Sequence, residues 1–254
     1  MLAPPPGLTN DIQKFFLEES RLGIPVIFHE ECLHGHAAKD STSFPQPIGL
    51  AATFDPGLVE RSVHDDCCRG SRPWTHQALD AGRRCRARSA LGPRRRNLRR
   101  RSISGRRAWA WPRCAVFRAT AAFKDKKRVI ATLKHFVGAR AAGIRNELRS
   151  GECFACACWE KHFCSPFSEA IKKANAISVM ASYNEVDGEP SHASRWLLRD
   201  VLRKEWGFAG FIVSDYYAIW ELSHRPETHG HFVAKDKREA CRLAVRSRRQ
   251  HRTA

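Results

Sequence analysis

The sequence predicts an α/β fold built on a parallel sheet, and three observations carry that expectation. Four short apolar runs stand out at 24–28 (IPVIF), 129–133 (VIATL), 176–181 (AISVMA) and 209–213 (AGFIV). They are mostly apolar and rich in β-branched or aromatic residues, which suits buried strands of a parallel sheet. Helical patterns precede the third run and separate the third from the fourth. Each run ends abruptly in a cluster of chemically useful polar side chains. The resulting rhythm belongs to βα-barrels and to doubly wound sheets alike.

In chain order, the first run ends at His29-Glu30-Glu31 and the second at Lys134-His135. Before the third run, Ser165 is placed to cap a helix, with Pro166 at its first position and Glu169 in its first turn. The third run leads into Ser182-Tyr183-Asn184. A helix follows near 194–206, where Leu197, Leu198, Val201 and Leu202 mark one face and Gly207 sits at the stop. The fourth run ends at Ser214-Asp215-Tyr216. Loops are polar by default. Four successive strand ends rich in carboxylate, imidazole, ammonium and hydroxyl groups are what the carboxyl rim of a closed parallel barrel would present.

The length of 254 residues suffices for one large α/β domain or two small ones. The net charge of +18 points at first sight to nucleic acid. However, residues 81–124 alone hold 14 Arg and one Lys with no Asp or Glu, so the rest of the chain nets only +3. The basicity is local. Eight of the ten cysteines fall between residues 64 and 164. No run of about 18 apolar residues offers a membrane span. The first residues lack the basic and apolar regions of a secretory leader. Two stretches, 80–118 and 139–164, follow neither a helical nor a strand period, and with 64–74 and the tail 246–254 they look like a different kind of sequence from their neighbours. Their richness in Arg, Ala, Gly, Pro, Cys and Trp is what frame-shifted translation of a GC-rich gene would yield.

The ordered blocks resemble glycoside hydrolase family 3. RLGIPVIFHEECLHG (21–35), FPQPIGLAATFDPGLV (44–59), KHFVG (134–138), MASYNEVDGEPSHAS (180–194) and LLRDVLRKEWGFAGFIVSDYYAI (197–219) occur in the family's order. The resemblance implies a (β/α)8 TIM-type barrel, here incomplete and carrying irregular inserted stretches, as one partial N-terminal barrel domain over 1–254. It implies retaining hydrolysis of β-D-glucosyl or β-D-xylosyl ends of oligosaccharides or aryl glycosides, with no cofactor and no metal. Asp215 matches the catalytic nucleophile. Glu31, Lys134, His135, Met180 and Tyr183 match residues that hold the sugar ring, and His34 and Gly35 match a structural pair in the second loop. A retaining glycosidase needs an ionised carboxylate beneath the anomeric carbon and a protonated acid at the leaving oxygen. Lys134 is expected beside Asp215, keeping it ionised.

The chain departs from the family in places that bear on activity. A motif resembling DPRWGR and an acidic stretch are replaced by 80–118, and a loop with a further substrate-contacting Arg is replaced by the Cys-rich stretch. The family's acid/base is expected in a second domain, and the first strand and helix of the barrel have no counterpart. The chain as written is therefore expected to be inactive. Two other readings compete. The Arg-rich tract, interleaved with Trp109, Trp111 and Phe117, would bind polyanions non-specifically in an inactive gene remnant. Cys153, Cys156, Cys158, His162 and Cys164 would form a zinc loop.

Overall fold

The computed structural model describes residues 6–36, 41–55, 57–58, 61–62, 75–79, 129–137, 164–186, 188–223 and 233–248. The aberrant stretches 64–74 and 80–118, and all of 139–164 except Cys164, lie outside the described residues. Five strands form one parallel sheet: β1 (His29–Glu31), β2 (Gln77–Leu79), β3 (Ile130–Phe136), β4 (Ser178–Ala181) and β7 (Phe211–Val213), in the order β1-β2-β3-β4-β7. Between β4 and β7 lies a two-stranded antiparallel hairpin, β5 (Glu185–Val186) and β6 (Glu189–Pro190). A doubly wound sheet reverses its strand order at a switch point. Here the order in space follows the order in the chain, so the sheet is an arc of a TIM-type barrel.

The strand pleat separates an inner face from an outer one. Inward, Gln77, Thr132 and Ser178 form a buried polar layer across three strands. Gln77 Nε2 donates to Thr132 Oγ1, and to Ser178 Oγ at 2.9 Å, and the two hydroxyls lie 2.9 Å apart. Leu79, Lys134 and Met180, two residues further along their strands, share that face and stand nearer the carboxyl ends. Outward, Leu133, Val179 and Ala181 pack against Phe167 and Ile171 of one helix and Leu197, Leu198 and Leu202 of another. Phe136 meets Phe167 and Trp206 edge-on, with ring centroids 5.1 and 5.6 Å apart.

Among the described residues there are six helices: α1 (Pro6–Lys14, continued by the π-type turn Phe15–Glu19), α2 (Pro47–Ala52), α3 (Ser165–Ala174), α4 (Trp196–Glu205), α5 (Ala218–Glu221) and α6 (Lys237–Arg248). The helix expected at 194–206 is α4, wound with π-type bonds. Ser194 Oγ accepts the Leu197 amide at 3.2 Å, and Gly207 follows with φ +70°. Its four predicted apolar residues are all buried.

Three expectations are corrected. Ser165 does not cap α3: the helix begins at Ser165, and Cys164 holds the capping position without a side-chain bond. Pro166 in the first turn has no amide to lose there. The run 24–28 is not a buried strand, since Ile24 is 59% and Ile27 46% exposed. Pro25 has no amide, and both backbone polar groups of Val26 bond the Gln13 side chain at 2.8 and 2.9 Å. Pairing starts at Phe28, whose carbonyl accepts the His76 amide at 2.9 Å. Finally, 246–248, expected to open an aberrant tail, is helical. These residues complete α6, where Ser247 is buried.

Candidate active site

The carboxyl ends of β1, β3, β4 and β7 bring the predicted side chains together. β1 ends at Glu31. In β3 the pairing with β4 shifts: Leu133 opposes Val179 and Phe136 opposes Ala181, leaving Lys134 and His135 opposite Met180. Two residues against one is a β-bulge, which re-aims side chains that a regular strand would send to opposite faces. The peptides Lys134–His135 and Phe136–Val137 are cis. Both bulge residues reach carboxylates. Lys134 Nζ donates to Glu31 Oε2 at 2.7 Å, and His135 Nε2 lies 3.3 Å from Asp215 Oδ2. This corrects the expectation that Lys134 sits beside Asp215: the ammonium is taken by Glu31, and the imidazole is the neighbour of Asp215.

Asp215 follows β7 and is buried, with its side chain 8% exposed. Its Oδ1 accepts the Tyr216 amide at 2.8 Å. Its own amide donates to His192 Nε2 at 3.3 Å. Tyr183, in the loop after β4, donates its hydroxyl to the Tyr216 carbonyl. Burial first, then the charge of Asp215, pushes the Tyr183 hydroxyl far above the usual tyrosine range. Burial, then Glu31, Glu30 and Asp215, pushes Tyr216 up as well. Met180 is buried on β4, in register with Val213 of β7. Tyr217, next along, takes a left-handed conformation at φ +57°.

The second loop is held by close backbone contact. Phe44 N–H donates to the His34 carbonyl at 2.7 Å. Gly35 has φ +113°, and a Cβ there would lie 2.3 Å from the Thr42 oxygen, so the position requires glycine.

Sequence reasoning missed His192 and β2. His192 sits in a turn between β6 and α4, where no periodicity marks it, and β2 is too short to register as a run. Of the cysteine cluster only Cys164 is described, and it lies in the apolar core. Among the described residues, no group of three or more His, Cys, Asp or Glu could hold a metal ion.

Residues 7–65 and 104–247 match the model of the glycosyl hydrolase family 3 N-terminal domain. The chain belongs to glycoside hydrolase family 3. Its relatives include a β-glucosidase of Rhizobium radiobacter, 32% identical over 182 residues that cover 70% of this chain and 20% of that protein. A putative β-xylosidase of Formosa agariphila is 30% identical over 248 residues, covering 93% of this chain and 30% of the relative. In structure, a β-glucosidase of Erythrobacter marinus superposes with a TM-score of 0.69 at 26% identity, over 97% of this chain and 32% of the other. A Listeria innocua β-glucosidase in complex with glucose shares the fold, with a TM-score of 0.68. The family 3 chain spans a third or less of the length of these proteins.

Proposed function

We propose that this barrel carries the nucleophile and sugar subsite of a retaining β-glycosidase acting on non-reducing β-D-glucosyl or β-D-xylosyl ends. The observation that carries the reading is the pairing of a buried Asp215 with His135, beside the Lys134–Glu31 ion pair, all at the strands' carboxyl ends. Asp215 attacks the anomeric carbon and the glycosidic C–O bond breaks with its electron pair on the leaving oxygen. Water then displaces Asp215 from the sugar ester. Glu31, Lys134 and His135 offer an acceptor and donors to the ring hydroxyls, and Met180 and Tyr183 line the same subsite. Two carboxyl groups and water suffice, so no metal or cofactor is invoked.

The leaving oxygen needs a proton. Losing a general acid typically costs about 10²- to 10⁴-fold in rate. We place that acid in a second domain and assign the described barrel the covalent half of the reaction. A leaving group that departs without a proton bypasses the acid and isolates this half. The test is a 2,4-dinitrophenyl 2-deoxy-2-fluoro-β-glucoside, with its xyloside counterpart, incubated with the 254-residue chain. Peptide mass spectrometry should find one glycosyl ester on Asp215 and none in Asp215→Asn. Labelling elsewhere, or labelling that survives Asp215→Asn, would overturn the assignment.

A further inference from the structure

We propose that His192 is a positioning residue, a buried neutral imidazole that fixes the peptide of Asp215 and so aims its carboxylate; this rests on the nucleophile reading above. His192 is 2% exposed. Its Nε2 faces the Asp215 amide at 3.3 Å, and its Nδ1 faces the Ser182 carbonyl at 3.0 Å. A backbone amide only donates, so Nε2 presents its lone pair. A carbonyl only accepts, so Nδ1 carries the proton. The two contacts specify one tautomer of the neutral ring without conflict.

The ring ties two strand ends together. Ser182 follows β4 and Asp215 follows β7, and these strands are hydrogen-bonded neighbours. His192 itself is held from behind, because Ser247 Oγ of α6 donates to its carbonyl at 3.0 Å and also bonds Ala244 O at 3.0 Å. On its far side the Asp215 peptide continues into Tyr216, whose amide holds Asp215 Oδ1 at 2.8 Å and whose carbonyl takes the Tyr183 hydroxyl. The carboxylate is therefore oriented by a chain running from α6 through His192 and the Asp215 backbone to Tyr216. Neither His192 nor Ser247 needs to touch the sugar. A displacement of about 1 Å at a reacting group costs on the order of 100-fold, so a link of this kind is worth measuring as a rate.

The experiment uses the full chain, His192→Phe, which keeps the ring's bulk and loses both nitrogens, and His192→Gln, which can restore an acceptor for the Asp215 amide. In ¹⁵N NMR, His192 should be neutral with its proton on Nδ1. The Asp215 amide should exchange slowly in the parent, fast in His192→Phe, and near the parental rate in His192→Gln. Trapping by the fluoroglycoside, per folded molecule, should slow about 10- to 100-fold in His192→Phe, with the half-saturating reagent concentration unchanged, and recover in His192→Gln. A proton on Nε2, or unchanged Asp215 exchange and trapping in His192→Phe, would overturn the proposal. So would loss of protection spread over all of β4 and β7 in both variants, which marks a core-filling role. If the parent is not trapped while the tautomer and the exchange pattern hold, the His192 link stands and the nucleophile reading falls.

Discussion

Lys134 brings an ammonium to a position only 7% exposed, and Glu31 meets it at 2.7 Å. Removing the carboxylate should leave that charge without its partner, so Glu31→Ala should lose about 1–3 kcal/mol. Replacing the pair by apolar groups is often near neutral, so Glu31→Ala with Lys134→Met should regain most of the loss. Urea midpoints at constant slope read both outcomes. Tyr183 and Tyr216 make a second residue-scale case. Their hydroxyls are raised in the folded chain by burial and by neighbouring carboxylates, while unfolded tyrosine ionises near pH 10. The folded state then keeps protons that the unfolded state releases. The stability they contribute is intact below about pH 10 and falls as pH rises above it. Tyr183→Phe should flatten that alkaline fall, measured as melting temperature against pH. At this scale the residue types of the site were legible, because each ends an apolar run or follows one. Their partners were not. Adjacent Lys134 and His135 would diverge on a regular strand, and only the bulge sends one to Glu31 and the other to Asp215.

At the scale of elements, β4 and β7 approach so closely that only glycine fits at their junction. A Cβ on Gly210 would lie 2.1 Å from the Ile177 carbonyl oxygen, beside the bond from Phe211 N–H to that same oxygen at 2.9 Å. Backbone cannot yield as a side-chain end can, so Gly210→Ala should cost about 1–3 kcal/mol or more. Gly7→Ala is the control: nothing lies within 4 Å of its added Cβ, and alanine suits a helix better than glycine. Thermal melts of the two variants should differ in sign or nearly so. Among the strands, the runs leading to β3 and β4 were legible because those strands are buried, and β7, half-buried, kept an apolar run of its own. The run at 24–28 misled, because apolar residues around Pro25 lack the amide pattern of a ladder, and Gln13 supplies Val26 with a substitute partner. α4 was legible from its apolar face. The start of α3 was misplaced by one residue, since a Ser-Pro pair fits both the capping position and the first turn.

The whole molecule combines a strand order that follows the chain with a charge of +18 concentrated in one window. The rhythm of runs left the order open, since it serves doubly wound sheets too, and the family resemblance decided for the barrel. The charge was legible and has a consequence of its own. A concentrated arginine window should bind heparin and DNA without sequence preference, with an affinity that falls steeply as salt rises. Sequencing the source DNA around codons 60–165 checks whether that window is a frame-shifted reading. Turnover follows from the division of labour proposed for the site. With ordinary aryl β-glucosides or β-xylosides, the 254-residue chain should be no faster than its Asp215→Asn variant. The leaving phenolate needs protonation, which typically contributes about 10²- to 10⁴-fold. If, as the family resemblance implies, the Arg-rich stretch replaces a loop that holds the sugar, the ring should be held more loosely, and loosening by about 1 Å costs on the order of 100-fold. The two losses multiply, and ordinary substrates should show background rates, while the dinitrophenyl fluoroglycoside, which needs no acid, still labels Asp215. Steady release of nitrophenol that disappears in Asp215→Asn would contradict this. It would place a working acid within residues 1–254, and Glu and Asp variants scanned for loss of that release would then locate it.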